Sequence, residues 1–117
     1  MTVVAVVDDD VSILDAMTLL IEEQGWEALV FENGEAFLEH YRAHQASPDC
    51  VILDPHLNGT TGEAVARVLA GTDIPVIGLT ARPESPVTAA IEALGVSPIL
   101  TKPAQPDELV EAIRNAI

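Results

Sequence analysis

Val3-Val4-Ala5-Val6-Val7-Asp8-Asp9-Asp10 opens the chain with five apolar residues followed by three carboxylates. The apolar run is short, mostly β-branched and bounded by acids, which reads as a strand buried on both faces. A strand that ends in an acid directs that acid to the carboxyl edge of its sheet. In open α/β sheets that edge is where ligands bind, at the crevice where strand order reverses. Two more runs end in a charged residue: Cys50-Val51-Ile52-Leu53 in Asp54, and Ile99-Leu100-Thr101 in Lys102.

The strand candidates along the chain are Val3–Val7, Ala28–Phe31, Cys50–Leu53, Val76–Leu79 and Ile99–Leu100. Helical periodicity fills the intervals. Ile13, Met17, Leu20 and Ile21 share a face; Phe37 and Tyr41 share another, and Val65, Val68 and Leu69 a third. Ala90, Ile91 and Leu94 make a thinner stripe, and Leu109, Val110, Ile113 and Ile117 close the chain. Ser12 can cap the first helix and Gly25 can stop it, and Gly95 can end the fourth. Pro106 suits the first turn of the fifth, with Asp107 and Glu108 at its positive end. Five βα units with continuous apolar strands imply a doubly wound α/β fold, a parallel sheet between two helical layers. Trp26 and Tyr41 read as packing residues.

At 117 residues the chain reads as one domain, 1–117, without repeat or linker, and 49% apolar content argues against disorder. Five basic against nineteen acidic residues give a formal charge of -14, which repels nucleic acid and anionic membranes. A lone Cys50 excludes an intramolecular disulfide, and no CxxC pair is present. The apolar start lacks a basic leader and is too short to span a bilayer, so the chain reads as intracellular, without export or membrane insertion. No Gly-x-Gly-x-x-Gly follows the first strand, which sets aside a dinucleotide-binding module.

Adjacent aspartates repel unless protonated or neutralised. A hard divalent cation resolves the repulsion, and magnesium typically takes one or two carboxylates together with waters and phosphate oxygens. With strand order 2-1-3-4-5, the first and third strands flank the switch point and bring Asp8 and Asp9 opposite Asp54. Lys102 then serves as a movable positive charge for carboxylates or a phosphoryl group. The Thr80 hydroxyl, after the fourth strand, can donate to a phosphate oxygen. The competing reading makes the triplet a solvated turn, Lys102 a surface residue and Thr80 a cap. His40 and His44, four apart, have metal-binding spacing but no third ligand, so a solvated face is the plainer reading.

Taken together, Val6-Val7-Asp8-Asp9-Asp10, Val51-Ile52-Leu53-Asp54 with Gly59 and Gly62, Leu79-Thr80-Ala81 and Thr101-Lys102-Pro103 resemble the receiver domain of two-component response regulators over essentially the whole chain. The resemblance implies a flavodoxin-like five-stranded sheet ordered 2-1-3-4-5 with five helices, as in chemotaxis regulators. It implies that Asp54 is the phosphoacceptor for a histidine kinase or phosphotransfer protein. It implies that Mg²⁺ is held by Asp9, by Asp8 through water, by Asp54 and by the backbone carbonyl of His56. Asp10 matches a position usually outside the metal shell. Thr80 and Lys102 would bind the phosphoryl oxygens, and the Lys102–Pro103 bond would be cis. The expected location is cytoplasmic. The expected chemistry is limited to self-phosphorylation from a donor and autodephosphorylation, with a downstream target protein or output domain reading the result. Stand-alone regulator and excised receiver are both open.

The chain departs from that pattern at named positions. Ile99 stands where the family usually carries a switch aromatic, three residues before the lysine. Asn58 replaces a frequent proline and is expected to loosen the loop after Asp54, while Pro55 biases Asp54 toward extended backbone. His56 and Arg82 occupy positions that tune dephosphorylation: His56 is expected to point to solvent or orient water, and Arg82 to touch Glu84 or a phosphate. Two alternatives stand beside the main reading. One is a receiver-like contact module that works without phosphate. The other is a haloacid-dehalogenase-type aspartyl-phosphate phosphatase with Asp8 as nucleophile and Asp10 as acid/base.

Overall fold

The computed structural model describes residues 1–44 and 47–117. Ten elements alternate along the chain: β1 (Val3–Val7), α1 (Val11–Glu23), β2 (Glu27–Phe31), α2 (Gly34–Ala43), β3 (Cys50–Leu53), α3 (Gly62–Ala70), β4 (Val76–Thr80), α4 (Pro86–Ala93), β5 (Ile99–Thr101) and α5 (Pro106–Ala116). All strand pairings are parallel and the order is β2-β1-β3-β4-β5. The chain leaves β1 for one side of the sheet and returns to its other side as β3, so the switch point lies between β1 and β3. Register there pairs Val7 with Leu53. The backbone ladder runs one residue further: Asp54 N–H donates to the Val7 carbonyl at 3.0 Å and Asp8 N–H to that of Phe31 at 3.1 Å. Asp8 and Asp54 are thereby fixed side by side at the carboxyl edge.

Each face of the sheet carries its own core. Val4, Val6, Cys50, Ile52, Ile77 and Leu79 pack against Leu14, Met17 and Ile21 of α1 and Leu109 and Ile113 of α5. Ala5, Val7, Val51, Leu53 and Val76 pack on the other side against Phe37, Val65, Leu69 and Ile91 from α2, α3 and α4. Alternate residues of one strand serve opposite faces, which is why the central strands read as unbroken apolar runs. Trp26 is partly buried against the first cluster, and Tyr41 stacks on Phe37 at 6.0 Å between ring centroids.

The first helix begins two residues earlier than Ser12 capping implies. Asp10 has extended backbone and its side chain accepts the Ser12 N–H at 2.9 Å, so Asp10 is the cap and Ser12 is inside the helix. A carboxylate also suits the positive helix end better than a hydroxyl does. Gly25 (φ +82°) and Gly95 (φ +100°) follow α1 and α4 in the left-handed region, where a side chain would be strained. Pro106 opens α5. The thin helix α4 is set by its start: Ser85 accepts the Thr88 N–H, and Thr88 and Ile91 are its buried residues. Both Lys102–Pro103 and Ser97–Pro98 are cis. No helix among the described residues is long and apolar enough to cross a membrane.

Cys50 is fully buried, and burial, with a smaller contribution from Asp49, pushes its thiol up to about 12. At pH 8 the thiolate fraction is then roughly 10³ below that of a free cysteine. Ellman's reagent is expected to leave Cys50 untouched in the native protein and to titrate one thiol in urea. Stoichiometric labelling of the native protein within seconds would contradict this packing.

Candidate functional site

Asp8 and Asp9 leave β1 and Asp54 leaves β3, and one carboxylate oxygen from each lies within 4.8 Å of the others. Among the described residues this is the one group of three acidic, histidine or cysteine donors so placed. Asp8 is 1% exposed and Asp9 is open to solvent. Asp8 Oδ1 accepts the Asp10 N–H at 2.9 Å. Asp10 itself faces away as the α1 cap, which accounts for its separation from the acidic group.

Lys102, just past β5, reaches across the sheet end to both buried acids. Its ammonium lies 2.8 Å from Asp8 Oδ2 and 3.1 Å from Asp54 Oδ2, with the lysine side chain 17% exposed. The Lys102 N–H bonds the Thr80 carbonyl at 2.8 Å, so β5 pairing with β4 sets where the side chain starts. Burial lifts the Asp8 carboxyl above its usual 3.8, against the opposing pull of Lys102 and the Asp10 N–H. Burial alone would depress the lysine, but its hydrogen bonds to Asp8 and Asp54 outweigh that and hold the ammonium above 10.5. Three acids and one base still leave the pocket two negative charges in excess.

That excess suits a bound cation. Asp8 Oδ2 is buried, and the Lys102 ammonium at 2.8 Å is the positive group beside it. A cluster of three converging carboxylates fits a hard divalent cation such as Mg²⁺. Softer thiolate and imidazole donors are missing from the set.

Asp54 is buried and held from two directions. Oδ1 accepts the His56 N–H at 2.8 Å, and Oδ2 faces Lys102. Thr80 closes β4 at 0% exposure, with its hydroxyl oxygen accepting the Arg82 N–H at 2.9 Å. The His56 ring turns inward, contrary to the solvent-facing expectation. Its side chain is 19% exposed, Nε2 lies 2.8 Å from Ser85 Oγ, Nδ1 lies 3.3 Å from Thr80 Oγ1, and Nδ1 is 3.9 Å from Asp54 Oδ1. A ring with a hydroxyl partner for each nitrogen has little to gain from water.

Other departures also find a place. Asn58 ties the loop down rather than loosening it: its amide donates to Asp9 Oδ2 at 3.0 Å. Glu35 at the start of α2 accepts the Thr60 N–H from the same loop. Ile99 is partly buried and pairs in register with Gly78, and its Cδ1 fills the space where a Gly78 side chain would stand. Arg82 is exposed and makes no ion pair among the described residues, so neither Glu84 nor another acid holds it. His40 and His44 stack at 3.9 Å and His40 also meets Phe31 at 5.3 Å, so His40 is partly packed rather than wholly solvated.

Sequence reading missed Ser85, Thr88 and Glu35. Ser85 directly before Pro86 carried a capping signal, but nothing local marks its contact with a histidine 29 residues away.

The model for the response regulator receiver domain matches residues 4–114. The DNA-binding response regulator MtrA of Mycolicibacterium paratuberculosis is 34% identical over 113 residues, covering 95% of this chain and 49% of MtrA. The sensory transduction protein RegX3 of Mycobacterium tuberculosis strain H37Rv is 36% identical over 115 residues, covering 97% of this chain and 50% of RegX3. The chain thus spans about half the length of these curated relatives. Among solved structures, a response regulator receiver protein from Burkholderia phymatum superposes with a TM-score of 0.89 at 34% identity, covering 99% of this chain and 94% of that one. The response regulator TrrA of Thermotoga maritima, solved with Mg²⁺ and beryllium fluoride, gives 0.83 at 28% identity with 100% of both chains covered. A five-stranded sheet ordered 2-1-3-4-5, an acidic group at its switch point and a family match over nearly every residue agree: this chain belongs to the receiver domains of two-component response regulators.

Proposed function

We propose that residues 1–117 form a receiver unit that accepts a phosphoryl group on Asp54 from a phosphohistidine donor. The observation that carries this reading is the Asp54 carboxylate held between the Lys102 ammonium and the His56 N–H, beside Asp8 and Asp9. An Asp54 oxygen forms the new O–P bond as the donor's N–P bond breaks, and the leaving electron pair stays on the donor imidazole. Charge builds on the phosphoryl oxygens during transfer, and catalysis of such a step is mainly positioning and charge stabilisation. Lys102 supplies a cation already at 3.1 Å from the nucleophile, and Thr80 supplies a hydroxyl proton from the neighbouring strand end.

Asp8, Asp9, Asp54 and the His56 carbonyl would hold Mg²⁺, whose charge offsets that of the transferring group. The excess negative charge of the pocket and the convergence of its three carboxylates support this assignment. The product is an acyl phosphate, which the same residues expose to water, so the mark is self-limiting. Formation and loss of that bond make up the whole of its chemistry. A histidine kinase or phosphotransfer protein in the cytoplasm is the proposed donor. The surface carries a formal charge of -14, so output runs through protein contact rather than direct DNA binding by this unit.

A phosphatase with Asp8 as nucleophile gains no support from the geometry. Asp8 and Asp54 are held alike, each with Oδ1 on an N–H and Oδ2 facing Lys102, but that phosphatase also needs Asp10 as its acid/base, and Asp10 is occupied in capping α1. Borohydride reduction of the phosphorylated protein converts an aspartyl phosphate to homoserine and so marks the acceptor. Homoserine is expected at position 54; homoserine at position 8 would overturn the assignment.

A further inference from the structure

The inward ring of His56 belongs to a chain of hydrogen bonds whose direction can be assigned from its far end. Thr88 Oγ1 lies 2.7 Å from the Arg82 carbonyl, which only accepts, so the single Thr88 proton goes there. The 3.1 Å contact between Ser85 Oγ and Thr88 Oγ1 must then use the Ser85 proton. With that proton committed, the 2.8 Å contact of His56 Nε2 with Ser85 Oγ requires Nε2–H to donate. In the neutral ring Nδ1 is then a bare acceptor, and the hydroxyl facing it at 3.3 Å is that of Thr80. Thr80 Oγ1 meanwhile accepts the Arg82 N–H. Every hydroxyl proton in the series Thr80, Ser85, Thr88 is used once, and the series runs from beside Asp54 to the first turn of α4.

A phosphoryl oxygen on Asp54 and the His56 ring therefore compete for one proton, that of Thr80. We propose that His56 is a positioning residue that holds the Thr80 hydroxyl and the α4 cap together at rest. Phosphorylation of Asp54 draws that hydroxyl away and loosens residues 81–88. This inference rests on Asp54 being the acceptor, as proposed above. It also supplies a route that does not pass through Ile99, whose Cδ1 already sits over Gly78 at rest. Ser85 is central, because its oxygen takes the His56 N–H, caps α4 through the Thr88 N–H, and lies outside the acidic pocket.

The test uses beryllofluoride with Mg²⁺ as the phosphoryl probe on the ¹⁵N-labelled full chain, with ¹⁹F signals reporting binding and amide shifts reporting the response. In the wild type, bound probe is expected to move the Arg82, Ser85 and Thr88 amides more than those of Ile99 and Leu100. Glycine caps a helix almost as well as serine but offers no hydroxyl. Ser85→Gly therefore removes the His56 bond while sparing the cap, and weakening only the resting state should tighten probe binding about three- to tenfold. Ser85→Thr, which restores the hydroxyl, is expected to return the affinity to the wild-type value. Bound probe with silent Arg82–Thr88 amides, or equal affinity in Ser85→Gly and wild type, would overturn the role of His56 while leaving Asp54 as acceptor. Absence of any bound ¹⁹F signal in the wild type would overturn both.

Discussion

Lys102→Ala is expected to cost about 3 kcal/mol of stability without divalent metal, the lower end of the range for breaking a buried pair because the lysine keeps some solvent contact. The ammonium is the one cation within reach of Asp8 and Asp54 among the described residues. Its loss leaves three carboxylates crowded at the switch point with no counter-charge. Added Mg²⁺ should recover most of the deficit, since it binds only the folded cluster and supplies the missing positive charge. The same substitution should slow phosphorylation by a small donor about 10²-fold, the usual scale for removing one preorganised charge from a transition state. Urea unfolding midpoints with and without millimolar Mg²⁺, paired with adduct formation rates, check both effects. A midpoint unchanged in the metal-free protein would contradict the electrostatic account of the cluster.

Gly62→Ala is expected to disturb the site through the backbone. A methyl group there would stand 2.5 Å from Pro55 Cα and 2.7 Å from the carbonyl oxygens of Asp54 and Pro55. All three neighbours are main chain, so no side chain can swing aside, and the start of α3 must move off the segment that carries Asp54. Overpacking of this kind costs about 1–3 kcal/mol. Displacing Asp54 from Lys102 should add a tenfold to hundredfold loss of phosphorylation rate, because reaction geometry is sensitive to shifts near 1 Å. Thermal unfolding and adduct kinetics on the variant measure the two losses, and wild-type values for both would show that α3 and the acceptor segment are not in contact.

The sheet was legible from sequence because its central strands are buried on both faces. β1 and β3 begin and end at the residues their apolar runs define. The strands whose limits differ end in polar residues: β2 gains Glu27 on an exposed edge, and β4 and β5 each gain a threonine. Asp8, Asp54, Thr80 and Lys102 were legible for the same reason, since a strand end in a parallel sheet fixes a direction as well as a position. The α1 cap was placed two residues too late because Asp10 and Ser12 are both good caps, and only the backbone geometry separates them. The inward turn of His56 and the tether from Asn58 to Asp9 were not legible. Each joins residues 29 or more positions apart through loops, where neither periodicity nor a local cap leaves a trace.

The central claim is that Asp54 takes a phosphoryl group in a pocket completed by a divalent cation. Intact mass after incubation with acetyl phosphate, with Mg²⁺ and with a chelator, on wild type and Asp54→Ala, tests it most directly. One phosphoryl adduct is expected on the wild type, formed with Mg²⁺, suppressed by chelation and lost in Asp54→Ala. An adduct that persists in Asp54→Ala, or no adduct on the wild type under any condition, would contradict it.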